Sequence, residues 1–421
     1  MRNVSLARRK FLRHAAACSC GALAMGAIPG LANRPAHAAT GNGTKLLLIN
    51  MAGGWDGLQI CQPSSGALYT TFAGMRPTLK TDPAQLLDIN GAFGFHPSLS
   101  AFKSLLDEGK LVSVLNVGYL NMSRSHKDAE VAFARGILDR ESVQASGMIS
   151  RMGEVNGWSS LQALSLNGID PAFEGASYRG IQVYGISNFR YGYDYTQNYA
   201  ETLDRVATAR QVSDLWQIDP AKPKQAEVVS SVNVAVDSSE LLYQARENTT
   251  FPTAYPNTQL GRSLRDADIL FSNSSLGTEV AYIKRGGFDT HSEQTDSFDR
   301  LLPEFNAALT TFISNMKAKN IWSNLIILVI SEFGRTNQEN DSQGTDHGGA
   351  LPIFVLGGPV NGFGNSGLIG AMTTTDLTDD GWLPMKINMV DIYRQVFARM
   401  GYNPDAAFEP AAGSEVSLLF S

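Results

Sequence analysis

Leu325-Ile326-Ile327-Leu328-Val329-Ile330 runs without a polar side chain straight into Ser331-Glu332-Phe333-Gly334-Arg335-Thr336. Six apolar residues with no polar alternation, ending in a short polar loop, describe a strand buried on both faces. The design recurs along the chain. Lys45 to Met51 (KLLLINM) opens into Ala52-Gly53-Gly54-Trp55-Asp56-Gly57, and Leu111 to Val117 delivers the chain to Asn121-Met122-Ser123-Arg124-Ser125-His126. Glu279 to Ile283 runs into Gly286-Gly287-Phe288-Asp289-Thr290-His291. Gly344-Thr345-Asp346-His347-Gly348-Gly349 precedes a further apolar run, Leu351 to Leu356, and Gly180 to Ile186 is another candidate strand.

Helical spacing separates these runs. Phe298, Leu301, Leu302, Phe305, Ala308, Leu309, Phe312 and Met316 recur at intervals of three and four and make one apolar face. Asp128 to Arg135 reads as a helix stopped by Gly136, and Met389 to Met400 as a closing helix. Strands apolar throughout, alternating with amphipathic helices, predict an α/β fold with a mainly parallel central sheet sandwiched by helices. In such sheets the working residues collect at the carboxyl ends of the strands, and here four strand ends carry acids or histidines.

The chain has 421 residues, 43% of them hydrophobic and 18% charged, which excludes a disordered or fibrous protein. Its first 38 residues hold six basic side chains (Arg2, Arg8, Arg9, Lys10, Arg13, Arg34) and no acid. Ala7-Arg8-Arg9-Lys10-Phe11-Leu12 is a twin-arginine pattern, followed by a weakly apolar stretch from Ala15 to Leu31 and by Ala36-His37-Ala38, a small-x-small cleavage pattern. These features predict a signal over residues 1–38, the twin-arginine export machinery as a partner, and a mature chain working in the periplasm or beyond. The apolar stretch is broken by glycines and Pro29, short of the roughly 20 continuous apolar residues of a membrane span, so no span is expected in the mature chain.

After the signal there remain 28 basic and 40 acidic side chains, a formal charge of −12. That balance argues against a nucleic-acid partner, which needs a concentrated basic surface, and favours metal cations as guests. Cys61 is the one cysteine beyond the signal, so no disulfide forms within the mature chain. Residues 39–421 read as a single large domain. The part from about Ile137 to Asp266, rich in Ser, Asn, Gln and Tyr, reads as an inserted cap whose Phe189, Tyr191, Tyr193, Tyr195 and Tyr199 are expected to pack.

Four histidines survive removal of the signal: His96, His126, His291 and His347. The last three sit in loops after or before strands, beside Ser125, Asp289 and Asp346, whereas His96 precedes Pro97 and reads as structural. Cations need carboxylates and imidazoles converging from separate strands, and Asp56, Asp289, His291, Glu332, Asp346 and His347 meet that demand as metal ligands. One or two divalent ions are expected, with Zn²⁺, Mn²⁺, Mg²⁺ and Ca²⁺ all open. Ser125 opens a helix, where backbone N–H groups and the helix dipole favour an oxyanion. Arg124 is placed to pair with phosphate or sulfate oxygens, Arg335 is a second candidate for that role, and His126 is the reserve nucleophile or proton donor.

The set of twin-arginine signal, GGWDGL, SRSH, GGFDTHSEQ, SEFGRT and GTDHGG resembles a bacterial exported family known as domain of unknown function 1501, itself similar in fold to the alkaline phosphatase and sulfatase superfamily. The resemblance spans about Lys45 to Tyr402. It implies an alkaline phosphatase-like fold, with Asp56 similar to the first-strand metal-binding aspartate and Ser125 to the helix-opening nucleophile. Asp289 and His291 resemble the aspartate and histidine of the other metal site. Ser331-Glu332-Phe333-Gly334 lies where superfamily members carry Ser-Asp-His-Gly, which makes Glu332 a ligand and puts Phe333 in a histidine's place. Asp346-His347 then resembles the later loop histidine, or else itself supplies the Asp-His pair.

Two functions from different classes follow. The first is an exported metal-dependent hydrolase of phosphate or sulfate esters, small or polymeric, with Ser125 as nucleophile. The second is a catalytically inactive relative acting as a periplasmic binding or assembly protein, which Phe333 and the lack of any histidine after His347 favour.

Overall fold

The apolar runs become strands in a computed structural model that describes residues 41–142, 144–186, 189, 223–362, 366–379, 381–410, 413 and 419–420. Residues 1–38, read above as an export signal, and Tyr191, Tyr193, Tyr195 and Tyr199 lie outside the described residues, while Phe189 packs against the core. In chain order the strands are β1 (Lys45–Asn50), β2 (Cys61–Pro63), β3 (Leu87–Asp88), β4 (Phe93–Phe95), β5 (Leu111–Gly118), β6 (Ala163–Ser165), β7 (Ile181–Gln182), β8 (Val280–Lys284), β9 (Leu325–Ile330), β10 (Leu351–Gly357), β11 (Leu368–Ile369) and β12 (Ile387–Asn388). The helices are α1 (Gly57–Ile60), α2 (Gly66–Met75), α3 (Ser100–Asp107), α4 (His126–Arg135), α5 (Met148–Asn156), α6 (Pro223–Asn248), α7 (Gln259–Ser272), α8 (Gln294–Ala318) and α9 (Met389–Arg399).

Among the described residues the main sheet runs β11-β5-β10-β9-β1-β8-β6-β7, with β12 also paired to β5, while β2, β4 and β3 form a small antiparallel sheet. Every residue of β5, β9 and β10 is buried, so both faces are covered, as uninterrupted apolar runs require. The apolar stripe of α8, from Phe298 to Met316, is buried along its length. Gly136 ends α4 in the left-handed conformation at φ 57°, where glycine carries no Cβ penalty. Cys61 is buried and free, and burial pushes its thiol up to about 12. Among the described residues no helix is long and apolar enough to cross a membrane.

All main-sheet pairings are parallel except those of β10, which is antiparallel to both β5 and β9. Its amino end therefore lies level with the carboxyl ends of its neighbours, with Leu351 opposite Val117. That reversal brings the loop 344–349 to the edge where β1, β5, β8 and β9 discharge theirs. β5 bulges where it meets β10: the register shifts between Leu351 and Ile353, and Asn116 takes φ 55°. Pro352, which has no N–H for the ladder, sits at this irregularity, where an interior strand tolerates proline.

The stretch 137–266 is not wholly an inserted cap. Ala163–Ser165 and Ile181–Gln182 continue the main sheet beyond β8, and α7 packs against α8. β7 falls inside the run Gly180 to Ile186 that the sequence offers as a strand, whereas the three-residue β6 is too short to leave a periodic trace.

Candidate metal centre

Arg335 ties together three of the loops at the sheet edge. Its guanidinium donates to the carbonyls of Gly54 (2.5 Å) and Gly53 in the first loop, Phe288 (3.1 Å) in the loop after β8, and Thr345 (2.8 Å) in the loop before β10. It also reaches Asp289 Oδ1 at 2.7 Å. Gly54, at φ 64°, is required twice over, since a Cβ there would lie 2.0 Å from the Phe333 ring. That ring in turn packs against His126 and His347, with centroids 4.8 and 4.7 Å apart. Phe333 thus works as a spacer that props two imidazoles.

Each of three imidazoles has its Nδ1 engaged by an acceptor. His126 Nδ1 lies 2.8 Å from Glu332 Oε1, His291 Nδ1 2.7 Å from Asp346 Oδ1, and His347 Nδ1 2.7 Å from the Arg124 carbonyl oxygen. A carbonyl or carboxylate oxygen only accepts, so each Nδ1 carries the proton and, in the neutral ring, each Nε2 presents a lone pair. Those lone pairs converge. His291 Nε2 and His347 Nε2 are 3.0 Å apart, and Asp289 Oδ1 is 3.0 Å from the first and 3.3 Å from the second. His126 Nε2 is buried without a hydrogen-bond partner, 3.4 Å from Asp289 Oδ2. Acceptors gathered with no proton between them repel one another unless a cation enters.

The donor set fits such a cation. Three imidazoles and one carboxylate suit zinc or another borderline divalent transition metal, and each imidazole has the outer hydrogen bond that fixes its tautomer and ring orientation. His126, Asp289 and His347 each offer one ligand atom within a 4.8 Å group. His291 joins them through the short contacts to Asp289 and His347.

Electrostatics hold Asp289 ionised and His347 neutral, the forms that bind a cation, whereas Glu332 favours a proton on His126 that an entering ion would displace. Partial burial pulls the Asp289 carboxyl up, but the hydrogen bond and charge of Arg335, followed by His126 and His347, outweigh it and set its pKa at about 2. Burial likewise opposes ionisation of Glu332, yet His126, the Gly53 N–H and Ser331 keep it below the usual range. The hydrogen bond to Glu332 raises His126 against the opposing effect of burial, and burial lowers His347 against the Arg124 carbonyl.

A pH signature follows for chelator-treated protein. The depressed Asp289 and Glu332 contribute stability above the ordinary carboxylate pKa of about 4, lost as pH falls through their folded values. The raised His126 contributes below about 6.5 and loses that contribution as pH climbs through its folded value. The unfolding-temperature difference between wild type and His126→Gln should therefore peak near pH 5 (about midway between those reference values) and shrink on both sides. A difference constant from about pH 4 to 8 would contradict the His126–Glu332 coupling.

The residues read as ligands from the sequence divide into two groups. Asp289, His291 and His347 meet in the cluster. Glu332 and Asp346 stand behind it as acceptors for His126 and His291. Asp56 is a correction: its buried carboxylate pairs with Arg76 and accepts from Gln294 Nε2 (2.6 Å) and Leu58 N (3.2 Å). His126, read as a reserve nucleophile, turns its Nε2 toward Asp289. Ser125 is exposed at the N-cap of α4, and its side chain makes no cap hydrogen bond. The exposed Arg124 holds its guanidinium 4.2 Å above the Trp382 ring. His96 is buried near Leu99, accepting from Ser98 N at 3.3 Å. Arg76, which lies in no glycine-rich loop after an apolar run, escaped the sequence reading, and Gln294, the last residue of GGFDTHSEQ, was given no role there.

No curated protein matches the sequence. Among solved structures the chain is similar to a protein of the alkaline phosphatase superfamily from Vibrio parahaemolyticus, at 10% identity and a TM-score of 0.39 over 92% of this chain and 75% of that one. It is also similar to the lipoteichoic acid synthase LtaP from Listeria monocytogenes, at 9% identity and a TM-score of 0.35 over 92% and 77% of the two chains. The PsFucS1 sulfatase from Pseudoalteromonas sp. gives 9% identity and a TM-score of 0.35 over 90% and 72%. Residues 221–419, which carry Asp289, His291, Glu332, Arg335 and His347, match the family described as Protein of unknown function (DUF1501).

Proposed function

We propose that this chain is an exported, metal-dependent hydrolase of phosphate or sulfate esters, delivered by the twin-arginine pathway to the periplasm or beyond. The observation that carries the reading is the convergence of three imidazole Nε2 atoms and Asp289 with no proton to share. His126, His291, His347 and Asp289 would hold the ion, which when bound supplies Lewis-acid polarisation of an ester oxygen. Ser125 is the hydroxyl that attacks phosphorus or sulfur, the ester oxygen leaving with its bonding pair, after which water cleaves the seryl ester. Arg124, immediately before it and steadied on Trp382, faces the non-bridging oxygens of a small or polymeric substrate.

The test is turnover of aryl phosphates, phosphodiesters and aryl sulfates by chelator-treated protein, before and after addition of Zn²⁺, Mn²⁺, Mg²⁺ or Ca²⁺. Ion-dependent turnover that is lost in Asp289→Ala and Ser125→Ala is expected. Glu332→Gln and Asp346→Asn, which take away the negative charge behind His126 and His291, should each weaken ion binding by about 10- to 100-fold. Protein that binds its ion but turns over no ester with any of them would leave the binding or assembly role in its place.

A further inference from the structure

We infer that the centre takes a single divalent ion per chain, because the Arg76 guanidinium serves Asp56 as a built-in cation and leaves no ligand set for a second. This rests on the reading that the imidazole cluster binds a metal. A second ion at this sheet edge would draw on the carboxylates of Asp56, Glu332 and Asp346, the three acids that the sequence assigns to it beyond the cluster.

Asp56 and Glu332 are already committed, and the exposed Asp346 spends its Oδ1 on His291 Nδ1. Arg76 and Asp56 are 0% and 1% exposed, and their ion pair is supplemented by Gln294 Nε2 on the same carboxylate oxygen and Leu58 N on the other. Arg76 is itself anchored by the carbonyls of Asn337 (2.8 Å) and Thr336 (2.7 Å), so its three engaged nitrogens each have an acceptor. For an ion to reach Asp56, the guanidinium would have to leave a buried berth and abandon those acceptors. Glu332 Oε1 accepts from His126 Nδ1 and Gly53 N, both at 2.8 Å, and Oε2 lies 2.9 Å from Ser331 Oγ. Apart from the second oxygen of Asp346, a single carboxylate that cannot hold an ion alone, the lone pairs that remain are those of His126, His291, His347 and Asp289, one ion's complement.

The charge arithmetic agrees. A dinuclear centre balances its second ion with extra carboxylate, whereas here that carboxylate is neutralised by a cation attached to the chain. Arg76 does not touch substrate; it is a positioning residue that keeps Asp56 and the first loop in place.

Metal content decides the matter. The whole chain, stripped with chelator, equilibrated with excess Zn²⁺ or Mn²⁺ and freed of unbound ion, should carry one ion per chain by elemental analysis and native mass spectrometry. Asp56→Asn should leave that ion's affinity within about threefold, while Asp289→Asn should lower it by at least about 100-fold. Two ions in wild-type protein, or loss of an ion in folded Asp56→Asn, would overturn the inference. No ion at all would instead remove the metal reading beneath it. Should Asp56→Asn not fold, the wild-type count still decides.

Discussion

Arg335→Met is expected to destabilise the protein by roughly 4 kcal/mol or more, since each buried acceptor left unsatisfied costs about 1–3 kcal/mol. Four carbonyls, from Gly53, Gly54, Phe288 and Thr345, lose this donor together. Methionine fills much of the volume but donates nothing. Typical domains are stable by only about 5–15 kcal/mol, so the variant sits near the threshold of folding. Asp289 would also lose the partner that holds it ionised, and ion affinity should fall with stability. Arg335→Lys restores the charge but not the planar fork, and should recover only part of the loss. Denaturant unfolding of the three proteins checks this, and Arg335→Met within about 1 kcal/mol of wild type would show the clamp to be dispensable.

Arg76→Met carries the second large effect. Removing one partner of a fully buried pair leaves an uncompensated charge, a loss of about 3–5 kcal/mol. Here the stranded group is Asp56, 1% exposed beside Gln294 and the first turn of α1. Asp56→Asn should cost less, because its amide oxygen still accepts from the guanidinium. The double variant should lose less than the sum of the two, with a coupling of about 1–3 kcal/mol in the unfolding cycle. Strict additivity would mean that the pair contributes no interaction of its own.

Much of the sheet was legible because its strands are long and apolar on both faces. Leu325–Ile330 and Lys45–Asn50 need no partner to be recognised, and the amphipathic stripe of α8 is as plain. What escaped is structure without period: β6 is only three residues long, and α6 draws on no simple apolar stripe. The centre was half legible for a related reason. Loops bounding apolar runs pointed to Asp289, His291 and His347, but which acid faces the candidate ion and which steadies a histidine depends on the direction each ring nitrogen faces. Glu332 and Asp346 are ligand types placed one bond too far back, and Asp56 was claimed by an arginine 20 residues away at the end of α2. Chain position alone does not announce such pairings.

The central place of β1 has a consequence for how the molecule is made. Its two neighbours, β8 and β9, are translated more than 200 residues later, so the first apolar run must wait, unpaired, while most of the polypeptide emerges from the ribosome. Contacts so distant along the chain assemble slowly. The Gly53-Gly54 turn can close on Arg335 only once that late segment has arrived, which ties completion of the candidate metal centre to the later stages of synthesis.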